Sequence, residues 1–268
     1  ITQQNAMLAD IGKDKAQAAE MDKMMVMMAE AQATEYKTRM AEFEKQYSHP
    51  TLMISTRHKN PDTPASLDAS NRHAECQDCH NSHQAKKGLH VKGSNLISNI
   101  LAGVSGVAPA ASSIWSQTTS YTEMKPAVQE SQLCFKCHSS YAFGLVSNGV
   151  TTILGPSGAY QTDQAMEFNP ANRSAHPVQV PLSSQTGSTV PQALQPAALT
   201  TEWNNPGQQS MYCSDCHGSD QPASPTVPQG PHGSDYRFML TGPGKYWPGN
   251  ASGQLWSLDD IRKNTNNW

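Results

Sequence analysis

Charge is scarce in this chain, and so are long apolar runs. Only 15% of its 268 residues are Asp, Glu, Lys or Arg, and the net charge is −3. No Lys/Arg cluster is dense enough to neutralise a run of phosphates, which excludes nucleic acid as a partner. No uncharged apolar stretch reaches the roughly eighteen residues that a membrane-crossing helix needs, so no transmembrane segment is expected. The nearest, Leu96 to Trp115, is broken by Ser, Asn, Gly and Pro. The start, Ile1-Thr-Gln-Gln-Asn, lacks the positive residues and apolar run of a secretory signal. An exported form would therefore be numbered after processing, or be a piece of a longer chain. Aliphatic and aromatic residues make up only 37%, so a core built from side chains alone would be thin. The small net charge does not match the charge-driven disordered class. Something other than side chains is expected to fill the interior.

What the chain does have is six cysteines in three identical frames: Cys76-Gln-Asp-Cys79-His80, Cys134-Phe-Lys-Cys137-His138 and Cys213-Ser-Asp-Cys216-His217. Two thiols three positions apart can add to the two vinyl groups of one haem, and the adjacent histidine then lies under the iron as its proximal ligand. Disulfides within each pair would leave the recurring histidine unexplained. Zinc sites made from paired frames would leave one pair over. A thioredoxin-like motif normally occurs once, in a βαβ context absent here. Histidine is 10 of 268 residues, so three placements directly after a pair arise by chance roughly once in twenty thousand such sequences. Three c-type haems are the expected cofactors.

Beyond the proximal His80, His138 and His217, seven histidines remain: His49, His58, His73, His83, His90, His176 and His232. Three irons each lack a sixth ligand, and histidine on both faces is the economical solution. Methionine is the rival, but half of the twelve lie between residues 21 and 40, away from the frames. Context ranks His83, His176 and His232 first: His83 follows His80 by three, His176 sits in Ser-Ala-His-Pro, and His232 sits in a Gly-Pro-His-Gly turn. His73, His49 and His58 stand in reserve. His49 lies in a related Ser-His-Pro turn, and His58 and His73 each follow an arginine able to pair with a haem propionate. His90 is the least marked.

Residues 3–47 read as one helix rich in Ala, Glu, Lys, Gln and Met, about 65 Å long at about 1.5 Å per residue. Met21, Met24, Met25, Met28, Tyr36, Met40, Phe43 and Tyr47 recur at three-and-four spacing, which predicts one apolar stripe facing a partner. From Ser48 onward periodicity is weak and Pro and Gly punctuate the chain. Gly155 to Thr201 is almost uncharged. The expected fold is mostly coil with short α-helices wrapped around three haems, plus the long N-terminal α-helix and little β structure. The expected domains are 1–47, a methionine-rich helix for docking or assembly, and 48–268, a trihaem cytochrome.

Over roughly residues 46–268 the chain resembles the multihaem c-type cytochromes of metal-reducing bacteria. The stretches that carry the likeness are Arg72-His-Ala-Glu-Cys-Gln-Asp-Cys-His-Asn-Ser-His83, Gln132-Leu-Cys-Phe-Lys-Cys-His-Ser-Ser-Tyr141, Asn169-Pro-Ala-Asn-Arg-Ser-Ala-His-Pro-Val178, Cys213-Ser-Asp-Cys-His-Gly-Ser-Asp220 and Gly230-Pro-His-Gly-Ser234. The resemblance implies electron transfer rather than catalysis, in the periplasm or at the cell surface, through close-packed bis-His haems. Other redox proteins or further copies of the chain, in an oligomer or filament, are the implied partners. The alternative is a haem enzyme subunit, a reductase with one open iron site and an adjacent acid or base. A surplus of histidines weighs against it.

Overall fold

A computed structural model describes residues 2–51, 74–88, 90–143, 150–154, 160–173, 175–187, 203, 205, 207–224 and 227–241. The chain divides into two compact units, Ile1–Ser48 with Ser219–Trp268, and His49–Gly218.

In the first unit, helix α1 runs from Thr2 to Ala41. Good helix formers and no internal proline carry it that far. The periodicity predicts a helix to residue 47, but a single 3-10 turn, Glu42–Glu44, follows, and Lys45 is extended. Tertiary contacts end the helix there. Glu42 is buried against Lys45, which also pairs with Asp220. Strand β1, Tyr47–Ser48, then pairs antiparallel with β6, Gly233–Ser234. A Cβ at Gly233 would lie 1.7 Å from the Glu42 carbonyl oxygen, so only glycine lets the two segments close. Much of the expected stripe is exposed, at Met21, Met24, Met25, Met28 and Tyr36, with Met27 exposed beside them, while Met40, Phe43 and Tyr47 are half-buried. At 100° per residue, the unbroken run Met24–Met28 surrounds the helix instead of lining one face.

The second unit holds short elements on two small apolar clusters. Its helices are α2, Cys76–Cys79, α3, Glu130–Phe135, α4, Ser140–Phe143, and α5, Gln164–Glu167. Strands β2, Gly106–Pro109, and β3, Tyr121–Met124, form an antiparallel pair, as do β4, Val150–Leu154, and β5, Tyr160–Thr162. Helix α3 feeds both clusters: Leu133 joins Val104 and Ala127, and Phe135 joins Val107 and Ala165.

Between these clusters the coil is held by amide side chains. Asn172, fully buried, donates to the carbonyls of Met166 and Glu167 and accepts from Trp115 N at 2.7 Å. Asn169 donates to Ser112 O and Ser113 O. Asn95 donates to Val178 O and Gln179 O, and Gln132 accepts from Val128 N and Gln129 N. Buried backbone groups need partners, and where no helix or sheet supplies them the amides do. An Asn- and Gln-rich sequence is thereby ordered without regular structure.

Candidate functional site

All three Cys-x-x-Cys-His frames fall in the second unit and close by the same bond. His80 N donates to Cys76 O at 2.8 Å, His138 N to Cys134 O at 2.9 Å and His217 N to Cys213 O at 3.0 Å. That i+4 to i closure makes each frame one tight turn, with its two cysteines and its histidine at set intervals around it. The first turn is α2, the second is the end of α3, and the third is a 3-10 turn over Cys213–Asp215. The first and third begin alike. Glu75 N donates to Asp78 Oδ2 at 2.7 Å, and Tyr212 N donates to Asp215 Oδ2 at 2.9 Å. Those aspartates cap the orphan amides of a turn start. The shared Asp before the second cysteine, Asp78 and Asp215, is a sequence signal of this capping.

The frames interlock. Lys136 Nζ, in the second, donates to Asp78 O in the first at 2.7 Å. Cys134 Sγ of the second and Cys213 Sγ of the third lie within 4.8 Å of each other. Ser214 of the third donates through both N and Oγ, each at 2.8 Å, to the two carboxyl oxygens of Glu130 in α3. Burial raises the Glu130 carboxyl above its ordinary range, against the lowering effect of those two bonds. Asp215 is anchored by His90 Nε2 at 2.7 Å and Lys92 Nζ at 2.5 Å. Burial pushes its carboxyl up, but the bonds from His90, Lys92 and Tyr212 N outweigh it and hold the group below its usual range. His90 also meets Ser214 Oγ through Nδ1 and lies 3.8 Å from the Tyr212 ring, so both its nitrogens serve this network.

The thiol chemistry narrows what the frames can do. No cysteine is in a disulfide, and each frame offers one exposed thiol, Cys76, Cys137 or Cys216, and one half-buried thiol, Cys79, Cys134 or Cys213. Burial pushes Cys79 up to about 11. The neighbouring Cys213 thiol and burial raise Cys134 as well. Reactive cysteines have depressed pKa values in electropositive surroundings, so these two are neither nucleophiles nor ready thiolate ligands at neutral pH. Among the described residues one trio could take a metal ion, Glu130, Cys134 and Cys213. It would use one cysteine from each of two frames and leave their partners and both histidines idle, which does not fit zinc built on paired cysteines.

The residues fit covalent haem attachment. Unbridged, protonated thiols are what adds across a vinyl group, the sulfur bonding to one carbon and the proton going to the other. His80 Nδ1 lies 3.3 Å from Ile100 O, a hydrogen bond that would orient the imidazole and leave Nε2 with the lone pair for a metal. Cys76, Cys79 and His80 would hold one haem, Cys134, Cys137 and His138 the second, and Cys213, Cys216 and His217 the third.

The distal candidates are spread out. His49 and His138 have ring centres 5.9 Å apart with planes at 64°. His176 is exposed and stacks on Phe168 at 6.3 Å. His83 is exposed, its amide donating to Asn81 Oδ1. Among the described residues neither makes a ring contact with a frame histidine. His232 belongs to the first unit, beside Phe43 at 5.0 Å. His58 and His73 lie outside the described residues. No family model, curated protein or solved structure matches the chain.

Proposed function

We propose that the chain is a c-type cytochrome that carries three haems and transfers electrons. One observation carries the reading: three Cys-x-x-Cys-His turns, each closed by the same histidine-to-cysteine bond, meet in one compact unit and are tied together through Lys136–Asp78 and Ser214–Glu130. A bound haem supplies an iron that takes up and gives back one electron without bond making. The protein's part is to hold and tune. The cysteines anchor, His80, His138 and His217 ligate, and Ile100 O orients the first imidazole. Leu133 and Phe135, buried on either side of Cys134, seat the start of the second turn in the two apolar clusters. Glu130, Asp215, Lys92 and His90 set the local field beside the third.

Close contact among the three frames suits transfer among them, and seven histidines beyond the three proximal ones favour six-coordinate irons, which leave no substrate position. Electron transfer is therefore favoured over a reductase with an open iron. No helix among the described residues is long and apolar enough to cross a membrane. A periplasmic or cell-surface site, and assembly with redox partners or further copies through α1, complete the proposal. The uncovered methionines support the last point, because contiguous exposed apolar surface marks interaction sites.

The test is intact mass after reduction and denaturation, since thioether bonds survive conditions that break disulfides and release zinc. Three haems added to the polypeptide are expected. A mass equal to the bare chain overturns the reading.

A further inference from the structure

We propose that His49 is the sixth ligand of the iron held by His138. This deepens the cytochrome reading and rests on haem attachment at the second frame. An imidazole nitrogen sits about 2 Å from a transition metal, with its ring centre about 1 Å further back, so two imidazoles on opposite faces of one iron have centres about 6 Å apart. The His49 and His138 rings are 5.9 Å apart. Their planes cross at 64°, a relation that two rings on one axis reach by rotating about it.

Both backbones are held where this pairing needs them. His138 N is bonded to Cys134 O, and His138 O accepts from Gln164 N of α5 at 2.9 Å. His49 O accepts from Thr51 N at 2.7 Å, and Pro50 O accepts from Ala74 N at 3.5 Å. Immediately after it, Pro50 restricts its backbone to extended conformations. The ring is thus presented from a short fixed segment. Of the other described histidines outside the frames in this unit, His90 is engaged with Asp215 and Ser214, His176 stacks on Phe168, and His83 is exposed.

The experiment uses the full haem-loaded chain. His49→Ala should add carbon monoxide binding at one haem per protein and convert that haem from low to high spin, with all three haems still present by intact mass. In a two-haem protein made by Cys134→Ala with Cys137→Ala, the same replacement should add none. His49→Met is the second variant. It keeps the iron six-coordinate and should shift one of the three reduction potentials upward, because a methionine–histidine pair raises the potential of a haem. This shift decides the matter if the alanine variant does not fold. The assignment is overturned if His49→Ala adds no carbon monoxide binding to the three-haem protein, if the added binding persists in the two-haem protein, or if His49→Met moves no potential. A chain that carries no haem by mass fails the cytochrome reading itself, which is a different result.

Discussion

Replacing Glu130 by alanine removes the acceptor that seats the third frame on α3. The Glu130 side chain is 4% exposed and takes both Ser214 N and Ser214 Oγ at 2.8 Å. The hydroxyl can rotate to His90, but the amide cannot, and a stranded buried donor costs roughly 1–3 kcal/mol. The cavity left by the missing carboxyl group adds roughly 1 kcal/mol. Glu130→Ala should therefore cost about 3 kcal/mol, a large part of the 5–15 kcal/mol typical of a domain. Glu130→Gln keeps an oxygen for the Ser214 amide and should cost within about 1 kcal/mol.

The two variants also differ from the parent in pH dependence. The folded carboxyl binds its proton more tightly than the unfolded one, so Glu130 contributes stability below its ordinary value of 4.5, and that contribution is lost as pH rises through the raised folded value. Urea unfolding of the haem-loaded protein, followed by far-UV circular dichroism across pH 4–8, measures both effects. The parent should lose stability with rising pH above 4.5, and Glu130→Gln should flatten that slope. Equal stability of Glu130→Ala and parent at every pH, or an unchanged slope in Glu130→Gln, refutes the reasoning.

Asp215→Asn weakens the contacts with His90 and Lys92 and should remove the stability that the parent gains as pH rises towards 3.8, the sign expected for a lowered carboxyl; acid titration by circular dichroism reads it. In the first unit, Lys45→Met strands the buried Glu42 and Asp220 carboxylates and should cost 3 kcal/mol or more, roughly, seen as faster hydrogen exchange at Tyr47 and Ser234. Asn172→Ala removes three hydrogen bonds and should cost about 2–3 kcal/mol, with faster exchange at the Trp115 amide as its signature. Met24→Lys with Met27→Lys should lower the association state of the protein measured by light scattering if α1 carries the assembly, without changing the haem count.

The chemistry was legible because it is local. The proposed covalent attachment needs two cysteines and a histidine within one turn, so the three frames stand out in a single sequence, and the long helix stands out because its formers are contiguous. The helix end was not legible: residues 42–47 carry helical periodicity, and only the buried Glu42–Lys45–Asp220 ions and the close approach at Gly233 break it. The coil was legible as irregular but not as ordered, since the bonds that fix it run from Asn95, Asn169 and Asn172 to carbonyls and amides that composition cannot name. Distal partners were least accessible. Turn context ranked His83 and His176 above His49, yet the ring that lies 5.9 Å from His138 is that of His49. Sequence by itself determined where the three Cys-x-x-Cys-His frames lie, because a frame is a matter of spacing along the chain. Tertiary structure alone decided which frames touch and which histidine faces which, because both depend on how segments far apart in sequence pack.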